Sequence, residues 1–247
     1  TEFITNNATI KVGNSTNASS PAIAMYAPTV TNTGTVTSGT KSIGIYSNSG
    51  NANISGTLNV GIEGTGIYKT GENVTINNGT VFNIGTKGVA VFASNANVAD
   101  NNSTELSLGT SAMGFALEGG NYSNIAGTQT MGTDSVYIYA KNVSTVTNNK
   151  TVTMTGDDNV ALYGKDGATI TNNADINQGS GIQNVGILIT GSGTGINNAG
   201  KTITVSKSLV EDDDPDNGKY SIGMAGQGAV SLINNGNIIV NSHRSIG

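Results

Sequence analysis

Apolar residues along this chain recur in pairs separated by one position: Ile10 and Val12, Ile43 and Ile45, Val152 and Met154, Ile203 and Val205. A period of two belongs to short β-strands, and no stretch sustains the i, i+3, i+4, i+7 spacing of an amphipathic helix. Thr, Val and Ile fill these segments, as suits a pleated, half-buried surface. Gly and Asn collect between them, where a positive φ or an Asx turn is easily made.

The strand signals are themselves periodic, and two markers keep the same phase. One is a small residue between two apolar ones, usually followed by an aromatic: Ile23-Ala24-Met25-Tyr26, Ile43-Gly44-Ile45-Tyr46, Thr65-Gly66-Ile67-Tyr68, Val89-Ala90-Val91-Phe92 and onward to Val185-Gly186-Ile187-Leu188 and Ile222-Gly223-Met224-Ala225. The other is an Asn-rich turn, as in Asn77-Asn78-Gly79, Asn148-Asn149-Lys150, Asn172-Asn173-Ala174, Asn197-Asn198-Ala199 and Asn234-Asn235-Gly236. Repetition every 20 to 25 residues or so is the mark of a solenoid, whose units are too small to bury an apolar face alone and must stack on their neighbours.

The expected fold is therefore all-β: a single-stranded parallel β-helix, or β-solenoid, of about ten coils, each with three short strands. Parallel crossovers favour a right-handed coil. Ile45, Ile67, Val91, Phe115, Ile138, Leu162 and Ile187 should form one inward stack. Residues 1–247 read as one β-helix segment truncated at both ends, because the repeat runs from the first residues to the last. Such a chain works through a long surface more readily than through a pocket.

One interval breaks the period. Between Gly186 and Gly223 the chain carries Glu211-Asp212-Asp213-Asp214-Pro215-Asp216-Asn217-Gly218. Pro, Gly and a block of carboxylates do not continue a strand, so an acidic loop insertion is expected at about residues 208–219. Insertions in solenoids often sit on the binding face, which makes Glu211, Asp212, Asp213, Asp214 and Asp216 candidate partner-binding residues. Their spacing lacks the sixth-position Gly and closing Glu of an EF-hand, so no metal site is assigned.

The second candidate surface is the aromatic series, with Tyr26, Tyr46 and Tyr68 as possible partner contacts. If the strand continues past Ile45, alternation turns Gly44 and Tyr46 outward, and the rings form an exposed row beside a shallow track of small residues. If the chain turns at Ile45, the rings fold into a corner of the core. For Asn148, Asn172 and Asn197 the expectation is an amide ladder along the axis.

Composition narrows the function classes. A net charge of −5 with dispersed Lys and Arg leaves no footprint for nucleic acid. With no Cys there are no disulfides or thiolate metal sites. No apolar run is long enough to span a bilayer. The single His243 and single Arg244 lie side by side near the C-terminal end, and the paired acids Asp157 and Asp158 are adjacent in a turn-like segment. Neither arrangement provides converging acid and base groups, so the chain is expected to be non-enzymatic and cofactor-free.

Strings such as Asn77-Asn78-Gly79-Thr80-Val81 and Ser42-Ile43-Gly44-Ile45-Tyr46 resemble the passenger repeats of large autotransporter adhesins, above all the very long outer-membrane adhesins of fusobacteria. The resemblance covers essentially the whole chain. It implies type V secretion, display at the cell surface or outer membrane, a monomeric passenger, and protein or glycan receptors on other bacteria or host cells. A purely structural stalk that holds an adhesive tip away from the cell fits the same repeats.

Overall fold

The computed structural model describes residues 2–205, 220–241 and 245–247, and these residues form a parallel β-solenoid. Each coil contributes strands to three faces. The first face carries the small-residue marker, with strands Ile23–Tyr26, Ile43–Ser47, Thr65–Thr70, Val89–Ser94, Met113–Glu118, Val136–Lys141 and Val160–Lys165. The second face precedes the Asn turn and includes Phe3–Asn6, Thr29–Asn32, Ala52–Ile54, Asn73–Ile76, Asn97–Asp100, Asn121–Asn124, Thr145–Asn148 and Ala168–Asn172. Val185–Asn197 and Ile222–Asn234 run through both faces without a break. They thereby join the two faces into one 17-stranded sheet.

The expected inward stack is present. Ile45 pairs with Ile67, Ile67 with Val91, Val91 with Phe115, Phe115 with Ile138, Ile138 with Leu162 and Leu162 with Ile187, all in parallel register and all buried. Stacking identical strands lets every rung hydrogen-bond along the axis while its apolar side chains close the interior. The long interval does not disturb that register: Val185 to Asn197 pair one to one with Ile222 to Asn234, and Thr202 to Val205 with Asn237 to Val240. The acidic insertion at 208–219, with Glu211, Asp212, Asp213, Asp214 and Asp216, lies outside the described residues, as do His243 and Arg244.

Two local expectations change. The row of small residues is not an outer track: Gly44 and Gly66 are buried beside Ile45 and Ile67, so alternation breaks where the first-face strand begins. A Cβ on Gly66 would meet the Ala90 carbonyl oxygen at 2.6 Å and Val60 Cγ2 at 3.1 Å, which is why the position stays small. At the corner between the third and first faces, the left-handed position is also not taken by Gly or Asn. Lys41, Glu63, Lys87, Ser111, Asp134, Asp158 and Gln183 adopt positive φ there, in one row. The left-handed conformation costs such residues about 1 to 2 kcal/mol each. In this row it is held by inter-coil bonds, as Lys41 N–H donates to Ile62 O, Glu63 N–H to Thr86 O and Lys87 N–H to Thr110 O.

The third face follows the Asn turn and is interrupted. Thr9–Val12, Thr35–Ser38, Thr57–Val60, Val81–Ile84 and Ser107–Leu108 form one five-stranded sheet. Gly127–Met131, Lys150–Met154, Ile176–Gln178, Thr202–Val205 and Asn237–Val240 form another. Across the gap the backbone ladder is replaced by a side chain. Gln129 Oε1 accepts from Leu106 N–H at 3.0 Å, and Gln129 Nε2 donates to Leu106 O at 2.9 Å.

Candidate functional site

The aromatic series stands on the outside of the first face. Tyr46 lies between Ile45 and Ser47, and Tyr68 between Ile67 and Lys69; these neighbours are buried while the rings remain partly open to solvent. The strand therefore continues past Ile45 and alternation holds from there on. Because adjacent coils are about 4.8 Å apart, rings at one repeat position arrive at stacking distance. Centroids are 5.2 Å apart for Tyr26 and Tyr46, 5.1 Å for Tyr46 and Tyr68, and 4.8 Å for Tyr68 and Phe92. Ala116 interrupts the column, and Tyr139 and Tyr163 resume it edge to face at 5.1 Å.

Stacking determines which chemistry this column can offer. Ring faces in its middle are covered by one another, so a partner meets ring edges and hydroxyls; Tyr26 ends the column and is 56% exposed. Asn48 Nδ2 donates to the Tyr26 hydroxyl at 3.4 Å, and the Tyr163 hydroxyl is 3.2 Å from Thr190 Oγ1. Burial, then Tyr46 and the Glu118 carboxylate, push the Tyr68 hydroxyl up from its ordinary value. Burial does the same at Tyr139, against the opposing charge of Lys141. Both hydroxyls therefore stay protonated and can donate.

Polar rows complete the outer surface. Asn73, Asn97 and Asn121 link through their amides at 3.1 Å per step, and Asn83 Nδ2 donates to Asn59 Oδ1 at 2.7 Å. A shallow cleft of about 380 Å³ lies along the third face beside Asn59 and Asn83, floored by Gly61 and Gly85. The glycines are required by close coil approach, since a Cβ on Gly61 would sit 2.5 Å from the carbonyl carbon of Gly39. A second cleft of about 350 Å³ opens at the third-face gap, between Leu106 and Thr130.

Inside, the expected amide ladder is present. Asn148 Nδ2 donates to Asn172 Oδ1 at 2.9 Å, and Asn172 Nδ2 to Asn197 Oδ1 at 3.0 Å. It extends to Asn124 on one side and Asn234 on the other. Asp157 and Asp158 belong to a corner: Asp157 Oδ1 accepts from Ile182 N–H and Asp158 has positive φ. Among the described residues no group of three or more His, Cys, Asp or Glu side chains is placed to hold a metal ion.

A buried polar cluster escaped the sequence reading. Lys150 Nζ lies 2.9 Å from Asp100 Oδ2, with side chains 0% and 2% exposed. The Tyr122 hydroxyl donates to the same Oδ2 at 3.2 Å and is 3.3 Å from the Tyr137 hydroxyl, which accepts from Asn124 Nδ2 at 3.1 Å. Three of these residues depart from the rule at their repeat positions. Asp100 occupies the row filled elsewhere by Asn32, Ile54, Ile76, Asn124 and Asn148. Tyr137 takes the place of the small marker residue, and Lys150 follows an Asn pair where Ala174 and Ala199 follow others. Those three departures were the signal available in the sequence.

Among the described residues, Lys69 is the other buried cation. Its Nζ donates to Thr70 O at 2.9 Å, and burial pushes its ammonium down, partly offset by Glu72.

The fold and these sites define a parallel β-solenoid with an aromatic outer column and a polar knot in its core. No family model, curated protein or solved structure matches the chain. Among the described residues no helix is long and apolar enough to cross a membrane.

Proposed function

We propose that this chain is a non-enzymatic segment of a cell-surface adhesin, secreted as an autotransporter passenger and attaching to protein or glycan receptors on other bacteria or host cells. The observation that carries the reading is the outward column of Tyr26, Tyr46, Tyr68 and Phe92, a continuous aromatic strip on a rod whose backbone is hydrogen-bonded coil to coil. The resemblance of its repeats to those of fusobacterial adhesins supports the same reading. Hydroxyl edges spaced by one coil rise offer repeated hydrogen-bonding positions to an extended partner. Many weak contacts on one displayed rod combine through avidity, so no deep pocket is needed. The acidic segment with Glu211, Asp212, Asp213, Asp214 and Asp216 is the second candidate contact.

The alternative is a stalk that only spaces a distal tip. The two are separated by presenting the purified chain at high density to partner bacteria and host cells. A triple variant, Tyr26→Ser, Tyr46→Ser and Tyr68→Ser, and a deletion of residues 211–217 are compared with it. Binding that falls at least several-fold in either variant, with the melting transition retained, supports adhesion. Binding at background for the intact chain leaves the stalk, and turnover of a polysaccharide overturns both.

A further inference from the structure

The polar knot brings an amine and a carboxyl group from distant coils into contact inside a dry core. Asp100 ends a second-face strand, and Lys150 begins a third-face strand two coils along. The ladder runs Asp100 to Asn124 and then to Asn148, so the Lys150 side chain must travel back along the axis past the intervening coil. Its path is open because its ladder partner is Gly127; a Cβ there would touch Lys150 Cγ and Cε at 3.7 Å. Lys150 N–H and C=O are fixed by the Asn148 amide at 3.2 and 2.8 Å, which anchors the base of the side chain.

The carboxyl group is held with equal care. Asp100 Oδ2 faces Lys150 Nζ and accepts from the Tyr122 hydroxyl, while Oδ1 accepts from Asn102 N–H at 3.2 Å. As a plain ion pair this arrangement is costly, since two desolvated charges seldom recover their hydration through mutual attraction. As a reactive pair it has what amide formation requires: a nucleophile in contact, a donor on the oxygen that remains, a donor on the oxygen that departs, and no bulk water.

We propose that Lys150 and Asp100 condense to an intramolecular isopeptide bond. One ammonium proton passes from Nζ to the carboxylate, leaving a neutral amine and a neutral acid. The Nζ lone pair attacks Asp100 Cγ and forms the C–N bond; Nζ gives up a second proton, and Oδ2 leaves with both protons as water. Oδ1 remains as the amide carbonyl, held by Asn102 N–H. The two charges cancel and no oxidant, reductant or further reactant is consumed. Tyr122 is a positioning residue for the departing oxygen, and Tyr137 orients Tyr122. Burial pushes both phenols up and the Asp100 charge adds to the effect; Tyr137 raises Tyr122 further, whereas the Tyr122 and Asn124 hydrogen bonds offset part of the rise at Tyr137, and both remain proton donors. The product fastens coils that, among the described residues, are otherwise joined by non-covalent contacts, and it does so where the third-face ladder is interrupted at Gln129.

The test is the mass of the folded, purified chain, measured after denaturation and again after prolonged incubation. The expected mass is lower than that of the sequence by one water. Trypsin should fail to cut after Lys150, and the digest should contain a branched peptide joining the Asp100 and Lys150 segments. Lys150→Met and Asp100→Ala should each restore the sequence mass. Tyr122→Phe, which keeps the reacting pair, should slow the loss of water severalfold or more. If the Lys150 and Asp100 variants fail to fold, the wild-type digest still decides. A wild-type chain at full sequence mass with normal cleavage after Lys150 overturns the proposal. So does loss of water without the branched peptide, as a succinimide at Asp166-Gly167 would give.

Discussion

The third face is built in two ways along the same rod. In its first sheet, Val36, Leu58 and Phe82 stack inward in register, and the coils are held by uninterrupted ladders over an apolar interior. Across the gap after Leu108, Gln129 takes the inward position of that row, and the Asp100, Tyr122, Tyr137 and Lys150 knot fills the core nearby. Beyond it, Val152, Ile176 and Ile203 restore the apolar row. The repeat therefore tolerates replacement of an apolar stack by a polar one, provided each buried group finds a partner. Hydrophobic burial holds the regular coils and specific hydrogen bonding holds the seam, so the two should respond differently to substitution.

The largest effect is expected at the seam. Asp100→Ala leaves the Lys150 amine buried without its carboxylate, at a cost of about 3 to 5 kcal/mol. Measured against wild type in which the pair is still unlinked, chemical denaturation should show that loss, and the double variant Asp100→Ala with Lys150→Met should regain much of it. A single variant as stable as wild type would mean that water reaches the pair.

In the regular coils the failure is a cavity instead. Ile67→Ala removes a fully buried side chain between Ile45 and Val91, and should cost about 2 to 5 kcal/mol with no rescue from any second charge change. Gln129→Ala sharpens the contrast, because it strands the Leu106 N–H and C=O across the gap. We expect a loss of about 1 to 3 kcal/mol, with faster amide exchange centred on residues 105–108. Exchange that instead rises evenly along the rod would place the ladder break elsewhere.

The smallest effect belongs to the outer column. Tyr46→Ala removes two ring stacks but no core contact, so its cost should be about 0.5 to 1.5 kcal/mol per stack or less. Circular dichroism in the aromatic region should change more than the melting temperature. A loss as large as that of Ile67→Ala would show that the rings bear on the core.

How far these differences could be read from the chain depends on which residues obey the repeat. The inward stack from Ile45 to Ile187 and the ladder through Asn148, Asn172 and Asn197 were legible because identical residue types recur in one phase, and stacking follows from phase alone. The facing of Gly44 was misjudged because alternation was carried back to the start of the strand, whereas Ile43, Gly44 and Ile45 are all buried there and a Cβ on Gly44 would meet the Gly66 carbonyl oxygen at 2.7 Å. The left-handed row from Lys41 to Gln183 was hidden for a related reason. Its conformation is imposed by hydrogen bonds from the next coil, and no local preference of Lys, Glu or Gln announces it. The polar knot was missed because Asp100 and Lys150 lie far apart in sequence and meet only through the coil register. Tyr137, as the one bulky residue at the small position, was the visible clue. The acidic segment from Glu211 to Asp216 was legible as a break in period, and its structure lies outside the described residues.

Amide hydrogen exchange followed peptide by peptide tests the central claim most directly, namely that regular coils and seam form one continuous solenoid. The account predicts that Asn121–Asn124 and Thr145–Asn148, at the seam, are protected as strongly as Asn73–Ile76, because their ladder on the second face is unbroken. Rapid exchange across residues 121–148, with protected coils on both sides, would contradict it and divide the rod into two independent bodies.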